Sequence, residues 1–162
     1  MNWIDIFEKG IWFGLAAIGF AILFNVPVRT LRTIWFLGAL GGITKLILVQ
    51  FGSSVVLGSF GGATLIGFLS IYAAHSKHSP PMVFAIPSVI PMVPGAFAYR
   101  MMLGLMNLAG DHVGEDYQEI LSETINNGLK ATFILMSLAF GVALPMLITR
   151  KGSAKNIRLK RR

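Results

Sequence analysis

The chain has 162 residues, 54% of them hydrophobic and 13% charged, with a net charge of +7 and a mean hydropathy of +0.69. A soluble domain averages about 45–50% apolar and about 25% charged residues, and a short chain has proportionally the most surface to cover with polar groups. A water-soluble globule is therefore excluded, and a polytopic membrane protein is what remains.

The excess charge sits in one place. Residues 150–162 hold seven bases and no acid, while the preceding 149 residues carry seven of each. No folded basic surface with aromatic platforms accompanies this tail, so it reads as a cytoplasmic anchor touching anionic membrane lipid, and no nucleic-acid partner is expected. The sequence has no cysteine, which removes disulfides, thiolate metal sites and cysteine nucleophiles.

Five apolar stretches follow in chain order, over about residues 10–26, 34–51, 53–74, 81–108 and 129–149. At about 1.5 Å per residue each can cross roughly 30 Å of hydrocarbon. The first follows Asp5, Glu8 and Lys9, a net-negative start unlike that of a cleaved signal peptide. The second and third carry Gly38/Gly42 and Gly58/Gly62, small residues four apart of the kind that let helices approach closely in lipid. These faces predict packing beyond a lone chain, as a homo- or hetero-oligomer. Between the fourth and fifth stretches Val113, Tyr117, Ile120 and Leu121 recur at helical spacing among acids, which predicts an amphipathic segment over 111–128 on the external surface. The organisation expected is an all-α transmembrane bundle over 1–149 and a basic tail over 150–162.

Loop charges orient the bundle. With the tail inside and five crossings, Arg29, Arg32 and Lys77 also fall inside, and the count of Lys and Arg is ten inside against two outside, Lys9 and Lys130. All seven acids then lie outside. The positive-inside rule thus puts the N-terminus outside and the C-terminus in the cytoplasm.

Enzyme motifs are absent: there is no G-x-S-x-G, no G-x-x-x-x-G-K-[ST] and no H-E-x-x-H. His75, His78 and His112 read as polar loop residues, and neither a metal nor another cofactor is expected. The unusual stretch is 80–95, with Pro80, Pro81, Pro87, Pro91, Pro94 and Gly95 inside apolar sequence. Each interior proline removes a backbone donor and clashes one turn back, and freed carbonyls at membrane depth must be buried in protein or face a wet cavity. A discontinuous helix is predicted, its second half running from about Ala96 to Asn107 with the positive end of its dipole in the membrane. Lys45 and Arg100 are cations within apolar stretches, which either snorkel to the interface or mark a functional site for an anionic substrate.

The run Pro87–Ser88–Val89–Ile90–Pro91–Met92–Val93–Pro94–Gly95, followed by Tyr99, resembles the threonine/serine exporter family, specifically its small second half. Phe24–Asn25–Val26–Pro27, the glycine-rich second and third stretches and Asn127–Gly128 extend the similarity over nearly the whole chain. The resemblance implies export of small amino acids or of dicarboxylates such as succinate. It further implies a larger half, here a separately encoded partner. The expectation is thus the small subunit of a two-component exporter in a bacterial inner membrane. Pro87, Pro91, Pro94 and Gly95 would shape a substrate site, Arg100 and Lys45 would hold a carboxylate, and Tyr99 would donate a hydrogen bond. A scaffold subunit that only assembles or stabilises its partner is the rival expectation.

Overall fold

A computed structural model of the chain describes residues 3–110 and 117–149, and their regular structure is entirely helical. Six α-helices follow one another: α1 (Trp3–Leu23), α2 (Leu31–Gln50), α3 (Val55–Lys77), α4 (Pro81–Val89), α5 (Gly95–Leu108) and α6 (Tyr117–Thr149). Single 3-10 turns occupy Val28–Thr30 and Ile90–Met92. Four helices are long and apolar enough to cross a membrane. A fifth span results if Pro81–Met92 and Gly95–Leu108, bent by 52° at the break, are one crossing. The all-α, multi-span architecture with a broken fourth span is as the prolines imply.

The first three helices end in one local device. Asn25 adopts φ 56° after α1, the N–H of Asn25 bonds to Ile22 O and that of Val26 to Ala21 O. Gly52 (φ 87°) and Ser53 repeat the pattern after α2, and Ser79 donates to Ala74 O after a left-handed His78. These are Schellman closures, which satisfy the orphan carbonyls of a helix end with one left-handed residue. They explain why Asn25 precedes Pro27, since the chain turns at Asn25 and a proline cannot resume the same helix.

Two elements differ from expectation. α1 starts at Trp3, ahead of the apolar stretch, with Asp5 in its first turn, where a carboxylate suits the helix dipole. The amphipathic segment and the fifth apolar stretch are not separate helices: from Tyr117 onward they form one helix of 33 residues. A lone glycine costs a helix only about 1 kcal/mol, so Asn127–Gly128 passes through without a break. Residues 111–116 of that segment and the basic tail over 150–162 lie outside the described residues.

Helices α1, α2, α3 and α6 pack in sequence, and α4 wedges against α1, α2 and α3. Glycines set the spacing. A Cβ on Gly38 would lie 2.7 Å from Ala17 of α1, and one on Gly62 would lie 2.6 Å from the backbone oxygen of Gly41 on α2. In lipid no hydrophobic force presses helices together, so such close backbone contact is what holds them. The glycine faces are thus occupied within the chain and carry no argument for assembly. The core between the helices is apolar, with Ile34, Ile66, Phe84, Met92 and Ile134 almost fully buried. Trp12, Phe133 and Phe140 are half-exposed or more, as a lipid-facing surface requires.

The contacts also give directions. Near the C-terminal end of α4 Ser88 Oγ donates to Ile34 O, and just past that end Met92 O accepts from Lys45 Nζ. With the start of α4 beside Phe24 and Val26 and Pro91 beside Lys9 and Trp12, α4 runs antiparallel to α1 and parallel to α2. Gly141 meets Phe60 and Ala63 while Pro145 meets Gly67, so α6 runs parallel to α3. Residues 81–108 therefore carry the chain from one end of the bundle to the other, as a complete crossing must.

Candidate functional site

The prolines divide their work. Pro81 is the first residue of α4, where its missing N–H is no loss. Pro87 lies inside α4 and is buried, and the helix absorbs it. Ser88 beside it anchors α4 by donating to Phe84 O and, across the interface, to Ile34 O. The break comes at Pro91 and Pro94: a 3-10 turn closes over Ile90–Met92, Val93 turns extended, and α5 begins anew at Gly95. At that break the Lys45 ammonium donates to the Met92 carbonyl at 3.1 Å. A carbonyl freed by a proline break needs a donor at membrane depth, and Lys45 supplies it.

Beyond the break α5 leaves the bundle and packs on α6, and none of its residues is buried. The pairing is antiparallel: Gly104 abuts Thr124, Gly128 abuts the Met101 thioether, and Lys130 Nζ lies 5.8 Å above the Phe97 ring. Two stripes with i, i+3, i+4, i+7 spacing face each other, Arg100–Leu103–Gly104–Asn107 and Ile120–Glu123–Thr124–Asn127, around a groove of about 200 Å³. Arg100, Asn107 and Glu123 reach it from exposed positions, while Thr124 and Asn127 are buried. Thr124 Oγ1 donates to Ile120 O. The Asn127 side chain takes no hydrogen bond among the described residues.

The expected site residues therefore do not converge on one point. Pro94 caps the start of α5 without a side-chain hydrogen bond, and nothing lies within 4 Å of where a Gly95 Cβ would be. Pro91 faces a shallow groove against α1, with Lys9, Trp12, Phe13 and Ala16. Pro87 lines another with Phe24 and Val26 at the bundle's opposite end. Tyr99 is 66% exposed on α5 and does not line the Arg100 groove. Lys45 is tied to the break, away from Arg100. Sequence reasoning missed Asn107, at the end of the fourth apolar stretch, and Glu123 and Asn127, whose segment reads as an amphipathic surface helix. Their signal was the i, i+3, i+4, i+7 spacing of 120, 123, 124 and 127, matched by the same spacing from Arg100. Among the described residues no three His, Cys, Asp or Glu side chains converge as a metal site would need.

A family profile described as "Threonine/Serine exporter, ThrE" matches residues 9–148. Among curated proteins the chain is similar to an uncharacterized protein of Haemophilus influenzae, 33% identical over 134 residues, covering 83% of this chain and 44% of that protein. The chain thus spans less than half the length of that relative. No solved structure matches.

Proposed function

We propose, because this chain belongs to the threonine/serine exporter family, that it serves as the small subunit of a two-component exporter. Its cargo is small carboxylate-bearing metabolites, either threonine- or serine-type amino acids or dicarboxylates such as succinate. Its place is a bacterial inner membrane, with the N-terminus outside and the C-terminus in the cytoplasm.

One observation carries the reading: Arg100 lines a polar groove directly after the break in a span. An arginine held beside a cavity presents a planar fork that matches a carboxylate at two points. In the first turn of α5 the Gly95 N–H bonds to Val93 O and that of Ala98 to Pro94 O, which leaves the Ala96 and Phe97 N–H groups at the end of the helix where the dipole favours an anion. Pro87, Pro91, Pro94 and Gly95 act by producing this geometry, and Lys45 by holding the broken end in place. Tyr99 stands outside the groove, where it is available to a partner.

The subunit role has its own support. Helix α5 packs mainly on α6 and none of its residues is buried, so a face carrying Tyr99, Met102 and Met106 is open to a partner helix as well as to lipid. The larger half of the exporter is the partner this reading assigns. The test is uptake of labelled threonine and succinate into inside-out membrane vesicles from the native host. Arg100→Gln should lower uptake about tenfold or more, the value of a lost charge-assisted hydrogen bond, with protein level and complex size unchanged. Normal uptake by a well-expressed Arg100→Gln variant would leave the scaffold reading in its place.

A further inference from the structure

The groove holds more than a carboxylate handle. We propose that it is a zwitterion site, in which Arg100 takes the α-carboxylate, Glu123 the α-ammonium, and the Asn127 carboxamide bonds to both. This deepens the transport reading above and rests on it.

Register brings the three groups together. Gly104 opposite Thr124, Met101 opposite Gly128 and Phe97 opposite Lys130 put Arg100 level with Asn127 on the facing helix. Glu123 lies one helical turn from Asn127 on the same face of α6. Arg100 and Glu123 thus offer opposite charges along one wall-to-wall groove. Among the described residues, neither is joined to the other or to a further side chain by an ion pair. A dicarboxylate entering there would bring its second anion against Glu123, whereas an α-amino acid brings a cation.

Asn127 gives the independent indication that a guest belongs there. Its side chain is only 6% exposed, and no described residue bonds to it. A primary amide has two donors and an acceptor with two lone pairs, and since Ser59 Oγ is the only enclosed side-chain polar atom without a partner among the described residues, the Asn127 amide opens on the groove rather than being sealed in protein. Thr124 beside it, equally buried, is satisfied by Ile120 O, so of these two buried polar side chains Asn127 is the one left with bonding capacity for a guest. A ligand with an acceptor at one end and a donor at the other satisfies both sides of the amide at once. The volume of about 200 Å³ suits a solute the size of a small amino acid, and Leu103 and Ile120 supply the apolar floor for its side chain.

The experiment is competition for labelled L-threonine uptake into inside-out vesicles of the native host, with unlabelled L-threonine, N-acetyl-L-threonine and succinate as competitors. N-acetylation keeps the carboxylate and removes the cation. In the wild-type protein, N-acetyl-L-threonine and succinate should each compete at least tenfold more weakly than L-threonine. Glu123→Gln should weaken L-threonine about tenfold and bring N-acetyl-L-threonine to within about threefold of it, erasing the discrimination. Asn127→Leu, which keeps the packing volume, should weaken every competitor, and Arg100→Gln should abolish uptake. If Glu123→Gln retains wild-type discrimination while Arg100→Gln abolishes uptake, the zwitterion inference is overturned and the carboxylate reading stands. If Arg100→Gln transports normally, both fall.

Discussion

The Lys45 ammonium and the Met92 carbonyl meet at 3.1 Å although 47 positions separate them in sequence. The contact joins the last third of α2 to the point where the fourth span is broken. It assigns Lys45 a backbone to serve, and that has a consequence distinct from substrate binding. Lys45→Met keeps the aliphatic stem and removes the donor, leaving the carbonyl of a 1%-exposed residue unpaired, at a cost of about 1–3 kcal/mol. Thermal unfolding in mild detergent should show the loss. Uptake should fall through kcat with the apparent KM for L-threonine within about twofold of wild type. A large rise in KM at unchanged stability would return Lys45 to the substrate.

The glycines separate into structural and open positions, and substitutions should follow that division. At Gly62 a Cβ would stand 2.6 Å from the Gly41 carbonyl oxygen, which cannot move without shifting α2. Gly62→Ala should therefore destabilise the bundle by about 1–3 kcal/mol, the usual range for overpacking. At Gly95 there is nothing within 4 Å, and Gly95→Ala should leave the melting temperature unchanged or slightly raised, since alanine is the better helix former. Equal losses at the two sites would contradict the packing described. Gly95→Leu, which projects into the open first turn of α5, should lower uptake without lowering stability.

Much of this architecture was legible in the sequence because membranes impose simple rules. Apolar length marked the spans, and proline density marked the break within residues 80–95. What could not be read was how far each feature reaches. The role of Lys45 depends on a carbonyl far away in sequence, and only the parallel run of α2 and α4 brings them together. Glycines at 38, 42, 58 and 62 announced close packing, but a spacing of four does not say whether the neighbour is the same chain or another. The Arg100 groove was half visible. Arg100 stands out as a charge in apolar sequence, whereas Glu123 and Asn127 lie in a polar segment where such residues are ordinary. Their significance comes only from the antiparallel pairing of α5 with α6.

Topology can be tested without background, because the chain has no native cysteine. Phe51 is exposed at the end of α2, Asn126 on α6, and Ser76 at the end of α3. Since α6 runs parallel to α3, Phe51 and Asn126 belong to the same end of the bundle and Ser76 to the other. A membrane-impermeant maleimide on intact cells should label Phe51→Cys and Asn126→Cys, and should reach Ser76→Cys only after permeabilisation, as the basic loops and tail require. Labelling of Asn126→Cys together with Ser76→Cys would break the five-span arrangement. Labelling of Ser76→Cys alone would keep the arrangement and invert it in the membrane.

The closeness of α5 and α6 at Gly104 and Thr124 should set the width of the groove, and a paired exchange can show it. A Cβ on Gly104 would collide with Thr124 Oγ1 and stand 2.9 Å from Thr124 Cβ. Thr124 is buried and its hydroxyl is held by Ile120 O, so α5 has to give way. Gly104→Ala should therefore spread Arg100 from Glu123 and Asn127 and cut L-threonine uptake about tenfold, a barrier change of roughly 1.4 kcal/mol. The packing of α6 on α3 lies further along the helix, at Gly141 and Pro145, so the bundle should keep its melting temperature. Thr124→Gly alone should cost some helix stability, about 1 kcal/mol. Combined with Gly104→Ala it removes the clash, moving the small residue to the other helix, and uptake should recover most of its wild-type value. Recovery in the double variant greater than the two single effects allow is a coupling between neighbours. Simple addition of the two losses would mean that helix spacing at this point does not govern the groove.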